Sequence, residues 1–185
     1  MGDSMNPGAT KPKPDSPPIE RLRIRPAGPP DVPAIVAVLT EAAEYQRSFK
    51  GGGAWPVPFP PEPVEVGVSR GEFHVAERSG SVIGTFSLSW EDPQFWGPRP
   101  PDSGYLHKLA VRRSESHRGV GRELIEWAAR GVRQRGRSRL RLDCLQGDAR
   151  LVAYYERAGF RKVRVIRLEF GGKELDFQLM ERALD

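Results

Sequence analysis

Apolar and polar residues alternate along IERLRIRP from Ile19, which predicts a first strand. Directly after it, DVPAIVAVLTEAAEYQRSF changes to the period of a helix, with Asp31 as the predicted N-cap and Pro33 in the first turn. One face of this helix carries the apolar residues Val32, Ile35, Val36, Leu39 and Ala43. The folded part of the chain therefore opens with a strand and an amphipathic helix.

The middle of the chain returns to the period of strands and then to that of a helix. Two alternating runs in EFHVAERSGSVIGTFSLSW predict a hairpin that turns around Ser79 and Gly80. YLHKLAV predicts a further strand, and a helix is expected from about Gly121 to Arg135. A basic connector joins these two elements.

The last part of the chain adds three strands and one helix. RSRLRLDCL predicts a strand, and DARLVAYYERAG a short helix that Gly159 closes as the C′ residue. FRKVRVIRLEF and ELDFQLMERAL predict a final hairpin. The order of strands and helices indicates a single α/β domain, with a mixed central β-sheet flanked by helices.

Two irregular inserts interrupt this order, KGGGAWPVPFPPEP and EDPQFWGPRPPDSG. Both are rich in Gly and Pro, yet in or beside them lie large aromatic side chains: Trp55, Phe59, Trp90, Phe95 and Trp96. Such aromatic residues either cover the core or line a ligand site. For the first insert we favour a pocket wall, whereas for the five aromatic residues together a wall for a small apolar or cationic amine and a lid over the core are equally open.

Composition adds a boundary and a location. Residues 1–18 are rich in Pro, Ser and Lys, which predicts a disordered leader before a domain over residues 19–185. No apolar run is long enough for a membrane helix or a secretory signal, so we expect a cytoplasmic protein. The lone Cys144 lies in an apolar strand pattern and predicts a buried thiol.

The formal net charge is +5, and much of the excess lies in ARGVRQRGRSRLRL, residues 129–142. Such a segment favours an anionic partner, which leaves nucleic acid and a phosphorylated cofactor open beside solvated surface arginines. Composition alone favours the solvated surface.

The segment HRGVG is placed between a strand and a helix, so Gly119, Val120 and Gly121 fall at a helix N-terminus. Unpaired amides and the positive end of the helix dipole bind phosphate oxygens there, and glycine lets a pyrophosphate approach the backbone. A dinucleotide fold expects a third Gly where Leu124 stands, and a P-loop expects Gly-Lys-Ser/Thr. Both alternatives fit less well than a pyrophosphate loop of another kind.

Three separated segments resemble the acetyl-CoA-binding core of the GNAT superfamily of N-acetyltransferases. They are LAVRRSESHRGVGREL, RLRLDC and DARLVAYYERAGF, in this order between Tyr105 and Phe160. The resemblance implies the GNAT fold, acetyl-CoA as co-substrate and transfer of an acetyl group to a primary amine, with a small molecule as the expected acceptor.

Carried over to this chain, the resemblance implies a set of cofactor-binding residues. The strand Leu109, Ala110 and Val111 would pair with the pantetheine arm, and the loop amides would hold the pyrophosphate. The loop residues concerned are His117, Arg118, Gly119, Val120, Gly121 and Arg122.

The resemblance also implies a general acid and exposes two departures from the family pattern. Tyr155 takes the place of the acid that protonates the leaving thiolate, whereas Tyr154 is expected to pack or point away. Ser116 stands where the family has Arg or Gln, and Arg118 is a candidate to compensate. Asp148 stands where the family has Asn, and it serves equally well as an N-cap.

A general base is needed because an amine attacks a thioester only as the free base. His107, by strand alternation on the same side as Leu109 and Val111, is our first candidate, and its LHKLAV setting is similar to that of the arylalkylamine acetyltransferases. A strand histidine satisfied by a neighbouring carbonyl is the alternative.

The other candidates for the base are loop carboxylates acting through water, namely Glu91, Asp92 and Asp102. His74 is expected to be structural, and His117 to touch the cofactor or solvent. No His, Cys and acid residues show ligand spacing along the chain, so no metal is expected.

The implied mechanism is direct transfer through a tetrahedral intermediate without an acyl-enzyme. The oxyanion would be stabilised by strand amides near Leu109. Two alternatives remain: a degenerate CoA-binding domain, which Ser116 and Asp148 keep open, and a nucleic-acid-binding module, which is less favoured. A homodimer through the C-terminal strands is also open.

Overall fold

The computed structural model describes residues 22–49, 53–170 and 172–185, so the leader predicted over residues 1–18 lies outside the described residues. Seven strands are present: β1 Arg23–Pro26, β2 Phe73–Arg78, β3 Ser81–Ser89, β4 Ser103–Val111, β5 Arg139–Leu145, β6 Arg161–Phe170 and β7 Lys173–Ala183. Five α-helices are interspersed with them: α1 Val32–Arg47, α2 Glu62–Ser69, α3 Pro93–Trp96, α4 Val120–Gln134 and α5 Ala149–Arg157. Pro29–Asp31 and Arg113–Glu115 are short 3₁₀ turns.

The strands form one sheet in the order β1-β2-β3-β4-β5-β7-β6, which confirms the predicted mixed sheet. Only β4 and β5 pair in parallel, and their connection runs through α4 as a parallel crossover requires. β6 is an edge strand on which Val163 and Val165 are exposed. No described helix is long and apolar enough to cross a membrane.

Helices cover both faces of the sheet. α1 and α2 pack with β2 and Phe59 in one apolar cluster, while α4 and α5 share a second cluster with β3 and β5. The buried residues of α1 include Val38, whereas the predicted Val36 is only partly buried. The apolar face is wider than a one-sided pattern suggests because α1 contacts α2 as well as the sheet.

The first irregular insert differs from the prediction in two ways. α2 begins at Glu62, directly after the prolines, and its Pro63 is tolerated because the first turn needs no donor there. Phe59 is buried between α1 and α2, and Trp55 meets its ring edge-on with the centroids 5.8 Å apart. The prediction that these two residues form a pocket wall is wrong, since they belong to the core.

Asp31 occupies the N-cap position of α1, but its side chain caps nothing in that helix. Its carboxylate instead accepts hydrogen bonds from the Gly28 amide at 2.7 Å and from the Arg25 guanidinium at 2.7 and 2.8 Å. The predicted cap is therefore replaced by a tie between the preceding turn and β1.

The feature that positions the site is a split in the sheet. β4 and β5 pair only from Ser103 with Arg139 to Tyr105 with Arg141, and the rest of β4 has no partner on that side. Such a gap leaves backbone donors and acceptors of β4 open to a ligand.

A bulge in β4 lies just beyond the last of these pairs. Lys108 has φ of 51°, and the register with β3 shifts there. The extra residue reverses the alternation, so Leu106, Leu109 and Val111 face the α4 cluster together, while Tyr105 belongs to a different cluster. The prediction that His107 shares a side with Leu109 and Val111 is wrong for this reason.

Candidate active site

A cleft of about 550 Å³ opens where β4 and β5 separate. Its walls come from α1, the open part of β4, the start of α4 and the start of α5. Of the residues predicted to bind the cofactor or catalyse, these line it: Leu109, Ala110, Val111, His117, Gly119, Val120, Gly121, Arg122, Asp148 and Tyr155. The structure thus brings most of the predicted set together, with Arg118 and His107 outside the lining.

The two glycines of HRGVG meet different physical requirements. Gly119 has φ of 81°, which L residues rarely adopt, and a Cβ there would meet nothing within 4 Å. Gly121 lies in the first turn of α4, where a Cβ would stand 2.5 Å from the Tyr154 hydroxyl. One glycine therefore shapes the loop, and the other makes room for a side chain of α5.

Tyr154 lines the cleft beside Tyr155, with its hydroxyl against Gly121. The expectation that it packs is met, but it does not point away from the cofactor region. Burial raises the pKa of its hydroxyl, an effect opposed by Arg122 and Arg157.

Tyr155 is buried at the inner end of the cleft. Burial raises the pKa of its hydroxyl well above the ordinary value, and Cys144 adds to the shift. Within the described ranges, no residue hydrogen-bonds this hydroxyl. Tyr155 is therefore protonated at neutral pH.

Cys144 is buried on β5, as its strand pattern predicts. Burial raises the pKa of its thiol to about 12, with Asp143 and Asp148 adding to the effect. A thiol in this state is not an activated nucleophile.

Two arginines that the sequence did not single out lie at the cleft. The guanidinium carbon of Arg113 stands 3.5 Å from the ring centroid of Tyr45, and that of Arg150 stands 3.2 Å from the centroid of Phe49. They come from the turn after β4 and from α5, so no local sequence pattern predicts that both line the cleft. Together with Arg122 they give the cleft a positive wall suited to phosphate groups.

Arg118 was predicted to compensate for Ser116, but its side chain is 61% exposed and pairs with Glu115 at 3.4 Å. Ser116 itself lines the cleft. Asp148 is the N-cap of α5, where Oδ1 accepts from the Leu151 amide at 3.1 Å. The acid in place of the family Asn is thus explained by capping.

His107 stands beyond the end of the β4–β5 pairing, between two carboxylates. Its Nδ1 lies 3.4 Å from Asp143 Oδ1, and its Nε2 lies 3.5 Å from Asp92 Oδ2. We call Asp92, His107 and Asp143 the acid–imidazole cluster. One ligand atom from each of the three lies within 4.8 Å of the others, so folding assembles a set that has no ligand spacing along the chain.

The three carboxylates considered as bases differ in their contacts and exposure. Asp92 belongs to the cluster, and burial raises its pKa, an effect that His107 opposes. Asp102 accepts from the Ser103 hydroxyl at 2.6 Å and pairs with Arg139 and Arg141, so it is structural. Glu91 is exposed.

Asp143 was missed as a candidate for the proton chemistry. A strand register would have placed Asp143 near His107: β4 and β5 pair in parallel with Tyr105 opposite Arg141, and two residues further along residue 107 comes opposite residue 143. Without knowledge that these strands are neighbours, this register is not readable.

The remaining histidines lie elsewhere. His74 is buried, its ring stacks on Phe86 at 4.8 Å, and its Nδ1 lies 3.1 Å from the Glu72 carbonyl oxygen. Burial lowers its pKa to about 4, which fits the structural role expected of it. His117 is exposed at the mouth of the cleft, with φ of 62°.

Of the five aromatic residues for which a pocket wall and a core lid were both open, only Phe95 has a described ring contact with the cluster. Its ring centroid is 6.4 Å from that of His107 and 5.1 Å from that of Phe177. Trp96 is buried, and Trp90 is covered by the guanidinium groups of Arg135 and Arg137. The predicted wall is therefore one aromatic residue wide.

Two arginines of the arginine-rich segment bind groups inside the fold. Arg137 donates to the carbonyl oxygens of Trp90 and Ser103, at 2.8 and 2.6 Å. Arg141 is buried and donates to Glu181 at 2.7 Å. These arginines hold loops and strands together, which weakens the case for a continuous nucleic-acid-binding surface.

Comparison with known proteins agrees with this geometry. The sequence profile of the acetyltransferase (GNAT) family matches residues 39–160. The uncharacterized N-acetyltransferase YesJ of Bacillus subtilis (strain 168) is 27% identical over 139 residues, which is 70% of this chain and 76% of that protein.

Solved structures share the fold along nearly the whole chain. The ribosomal-protein-alanine N-acetyltransferase from Brucella melitensis is 25% identical, with a TM-score of 0.68 that covers 88% of this chain and 99% of that one. The structure of yncA from Salmonella typhimurium, solved with its cofactor acetyl-CoA, is 19% identical with a TM-score of 0.68, covering 89% and 95% of the two chains.

Proposed function

Because the chain belongs to the acetyltransferase (GNAT) family, we propose that it transfers an acetyl group from acetyl-CoA directly to a primary amine, with a small molecule as the expected acceptor. Family membership makes acyl transfer the class of reaction and acetyl-CoA the co-substrate. The observation that carries the proposal is that the cleft and the acid–imidazole cluster lie next to each other along β4. Buried Tyr155 lines the cleft, and His107, which lies beside Asp92 and Asp143, stands on β4 two residues before the cleft residue Leu109.

The cleft fits the parts of acetyl-CoA. The start of α4 offers free amides for the pyrophosphate, and Arg113, Arg122 and Arg150 add charge. The part of β4 beyond Tyr105, unpaired on the β5 side, offers backbone groups to the amides of the pantetheine arm. The thioester is the activated acyl donor when the cofactor is bound.

The acceptor nitrogen must lose two protons in one turnover. An ammonium gives one proton to His107, and the lone pair released attacks the thioester carbonyl to form the tetrahedral intermediate, whose collapse then breaks the C–S bond. The second proton leaves as the amide forms. Tyr155 gives its proton to the departing thiolate and is reprotonated, so the balance is one thiol, one amide and one proton released to solvent.

The position of Tyr155 in the cleft lining supports its assignment as the acid, and burial, which raises the pKa of its hydroxyl, keeps that hydroxyl protonated before the thiolate leaves. The acceptor itself belongs to the same proposal. A peptide N-terminus is the alternative to a small amine, and the cytosol is the expected place of action.

The test combines binding and turnover. Calorimetric titration of acetyl-CoA should show binding to wild type and to Tyr155→Phe alike, since the variant loses only a hydroxyl. Amine-dependent thiol release should fall by about 10²-fold or more in Tyr155→Phe. Tyr105→Phe removes a hydroxyl that accepts from Arg141 at 3.2 Å, outside the cleft, and serves as the matched control.

The panel of acceptors should contain alkylamines, arylalkylamines, and a short peptide with a free N-terminus. Binding of acetyl-CoA without thiol release for any of them would point to the degenerate CoA-binding alternative. Absence of binding at low salt would remove the cofactor assignment of the cleft, and with it the whole proposal.

A further inference from the structure

Asp92 carries a carboxylate oxygen that folding leaves without a partner. Its side chain is 8% exposed, and Oδ1 accepts from the Phe95 amide at 3.3 Å as the N-cap of α3. Oδ2 is fully buried and accepts no hydrogen bond from the described residues. A buried carboxylate oxygen without a donor is costly, so this atom has a reason to meet a ligand.

The oxygen is aimed at His107, but too far away to bond with it. The separations of 3.5 Å to Nε2, and of 3.4 Å between Nδ1 and Asp143, exceed hydrogen-bond length for such groups. Neither separation is a hydrogen bond, so the buried Asp92 Oδ2 remains free to accept one from a ligand. Asp92 and Asp143 make the cluster negative while His107 is neutral.

One cation stands close to this cluster. Lys108 follows His107 at the bulge, and burial lowers its pKa, whereas Asp143, Glu72 and Asp92 act to raise it. Its charge is set against three carboxylates. The balance of charge around the cluster therefore favours a cationic ligand over an anionic one.

We propose that the acid–imidazole cluster binds the ammonium group of the acceptor, and that the acceptor is a primary amine with an apolar stem and no carboxylate beside the amine. This inference rests on the proposed function and names the substrate class. Three acceptors bonded to one tetrahedral nitrogen at about 2.9 Å stand about 4.7 Å apart. The cluster's ligand atoms all lie within 4.8 Å of one another, and His107 is 3.4 Å from Asp143 and 3.5 Å from Asp92, so the side chains must move apart by about 1 Å to share an ammonium.

A metal ion is the competing ligand for the same atoms. Ligands held tetrahedrally at about 2.1 Å stand about 3.4 Å apart. Each aspartate meets this separation with a different ring nitrogen of His107, so an ion bound to one nitrogen is well spaced from one aspartate only.

The stem of the acceptor is set by Phe95. Its partly buried ring stands between His107 and Phe177 and offers the apolar surface next to the cluster. A carboxylate on the carbon that carries the amine would be held close to Asp92 and Asp143 and would be repelled. The site should thus separate an amine from the α-amino acid of the same stem.

Two matched pairs test this, each differing only by that carboxylate: benzylamine against phenylglycine, and isopentylamine against leucine. At saturating acetyl-CoA, we expect kcat/KM for the amine to exceed that for the amino acid by about 10²-fold. Asp143→Asn should raise KM for the amines by about 10-fold and narrow the preference within each pair. Asp143→Glu should recover part of the KM.

Asp92→Asn is the second variant, so that a folding defect in one does not decide the result. Acetyl-CoA affinity by calorimetry should stay unchanged in both, since neither residue lines the cofactor cleft. A merely structural aspartate would alter cofactor affinity and thermal stability but would not narrow the preference.

Equal use of both members of each pair, or unchanged KM in both variants, would overturn the inference while acetyl transfer itself stood. Loss of activity with EDTA and its return with Zn²⁺ would overturn it in favour of a metal site. If acetyl-CoA binds and no amine of the panel is acetylated, the proposed function fails, and this inference fails with it.

Discussion

The cofactor cleft and the acid–imidazole cluster are neighbours on β4, yet they are built in opposite ways. Residues 109–122 supply most of the cleft in one continuous stretch, because a strand, a loop and a helix N-terminus follow one another. The cluster takes Asp92 from the N-cap of α3, His107 from β4 and Asp143 from β5. The proposed phosphate-binding loop is thus local structure, whereas the proposed site of proton transfer is assembled by tertiary structure.

The difference has an energetic side. Glycines and free amides prepare the cleft at little cost, since the helix leaves those amides unpaired in any case. The cluster holds two carboxylates near an imidazole ring, with one buried oxygen that accepts no hydrogen bond from the described residues. Such an arrangement costs stability, which is the reason for proposing a ligand there.

The largest expected effect is a loss of turnover, without a loss of acetyl-CoA binding, when His107 in the cluster is replaced. In His107→Gln, kcat/KM for an amine at pH 7 should fall by about 10²- to 10⁴-fold, because the ammonium loses its base. Acetyl-CoA affinity should change by less than about threefold, since His107 does not line the cleft. Steady-state kinetics and calorimetry on the same samples measure both.

The pH dependence distinguishes a base from a residue that only positions. The deficit of His107→Gln should shrink as pH rises toward the pKa of the amine, because solution then supplies the free base. A deficit that stays constant up to that pH would assign His107 a positioning role.

A second expectation concerns His74, which lies in neither region and has its own acid dependence. Its pKa of about 4 in the folded chain is below the ordinary 6.5, so between these values the unfolded chain binds the extra proton. Stability from this group is complete above pH 6.5 and is lost as pH falls. The free energy of unfolding should drop by about 2 kcal/mol between pH 7 and pH 5 from this residue.

Urea unfolding at the two pH values tests this with His74→Gln, which cannot titrate and should lose about 2 kcal/mol less than wild type. His117→Gln removes an exposed histidine and should follow wild type. If the free energy of unfolding depends on pH equally in all three proteins, His74 binds its proton as readily in the folded chain as in the unfolded chain. The measurement also tells how much of any acid loss of activity belongs to folding rather than to His107.

The fold was largely readable because its periods are clear. Alternating runs predicted β2, β3, β6 and β7, and the Gly159 C′ position closed α5 as expected. α2 was not predicted, since prolines at its start look like loop even though the first turn accepts them. The bulge at Lys108 was hidden as well, because a non-glycine residue at positive φ leaves no mark in the pattern.

The site was readable only in part, along the same division. The cleft residues follow from one contiguous motif, but Arg113 and Arg150 reach it by stacking on aromatic rings of α1 and its C-terminal flank. Asp143 could be placed only once β4 and β5 were known to pair in parallel. The aromatic inserts misled, because aromatic residues in loops serve the core as readily as a pocket.

The smallest expected effects are the stability changes on replacing Gly121 or Gly119 by alanine. They test the cleft as local structure, because the two substitutions should be destabilising for different reasons. Gly121→Ala places a Cβ 2.5 Å from the Tyr154 hydroxyl and should destabilise by about 1–3 kcal/mol, with weaker acetyl-CoA binding. In the Tyr154→Phe background the nearest remaining ring atom is 3.6 Å away. There the same substitution should instead stabilise α4 by about 0.5–1 kcal/mol, since Ala favours helix over Gly.

Gly119→Ala is the matched comparison. A Cβ at this position meets nothing, so the cost of about 1 kcal/mol comes from φ of 81° alone and should be the same with Tyr or Phe at position 154. Urea unfolding and acetyl-CoA calorimetry on the four combinations measure the coupling. If Tyr154→Phe rescues both alanine variants, or neither, the contact between α5 and the start of α4 is not what requires Gly121. The cleft would then depend on packing beyond its own motif, as the acid–imidazole cluster does.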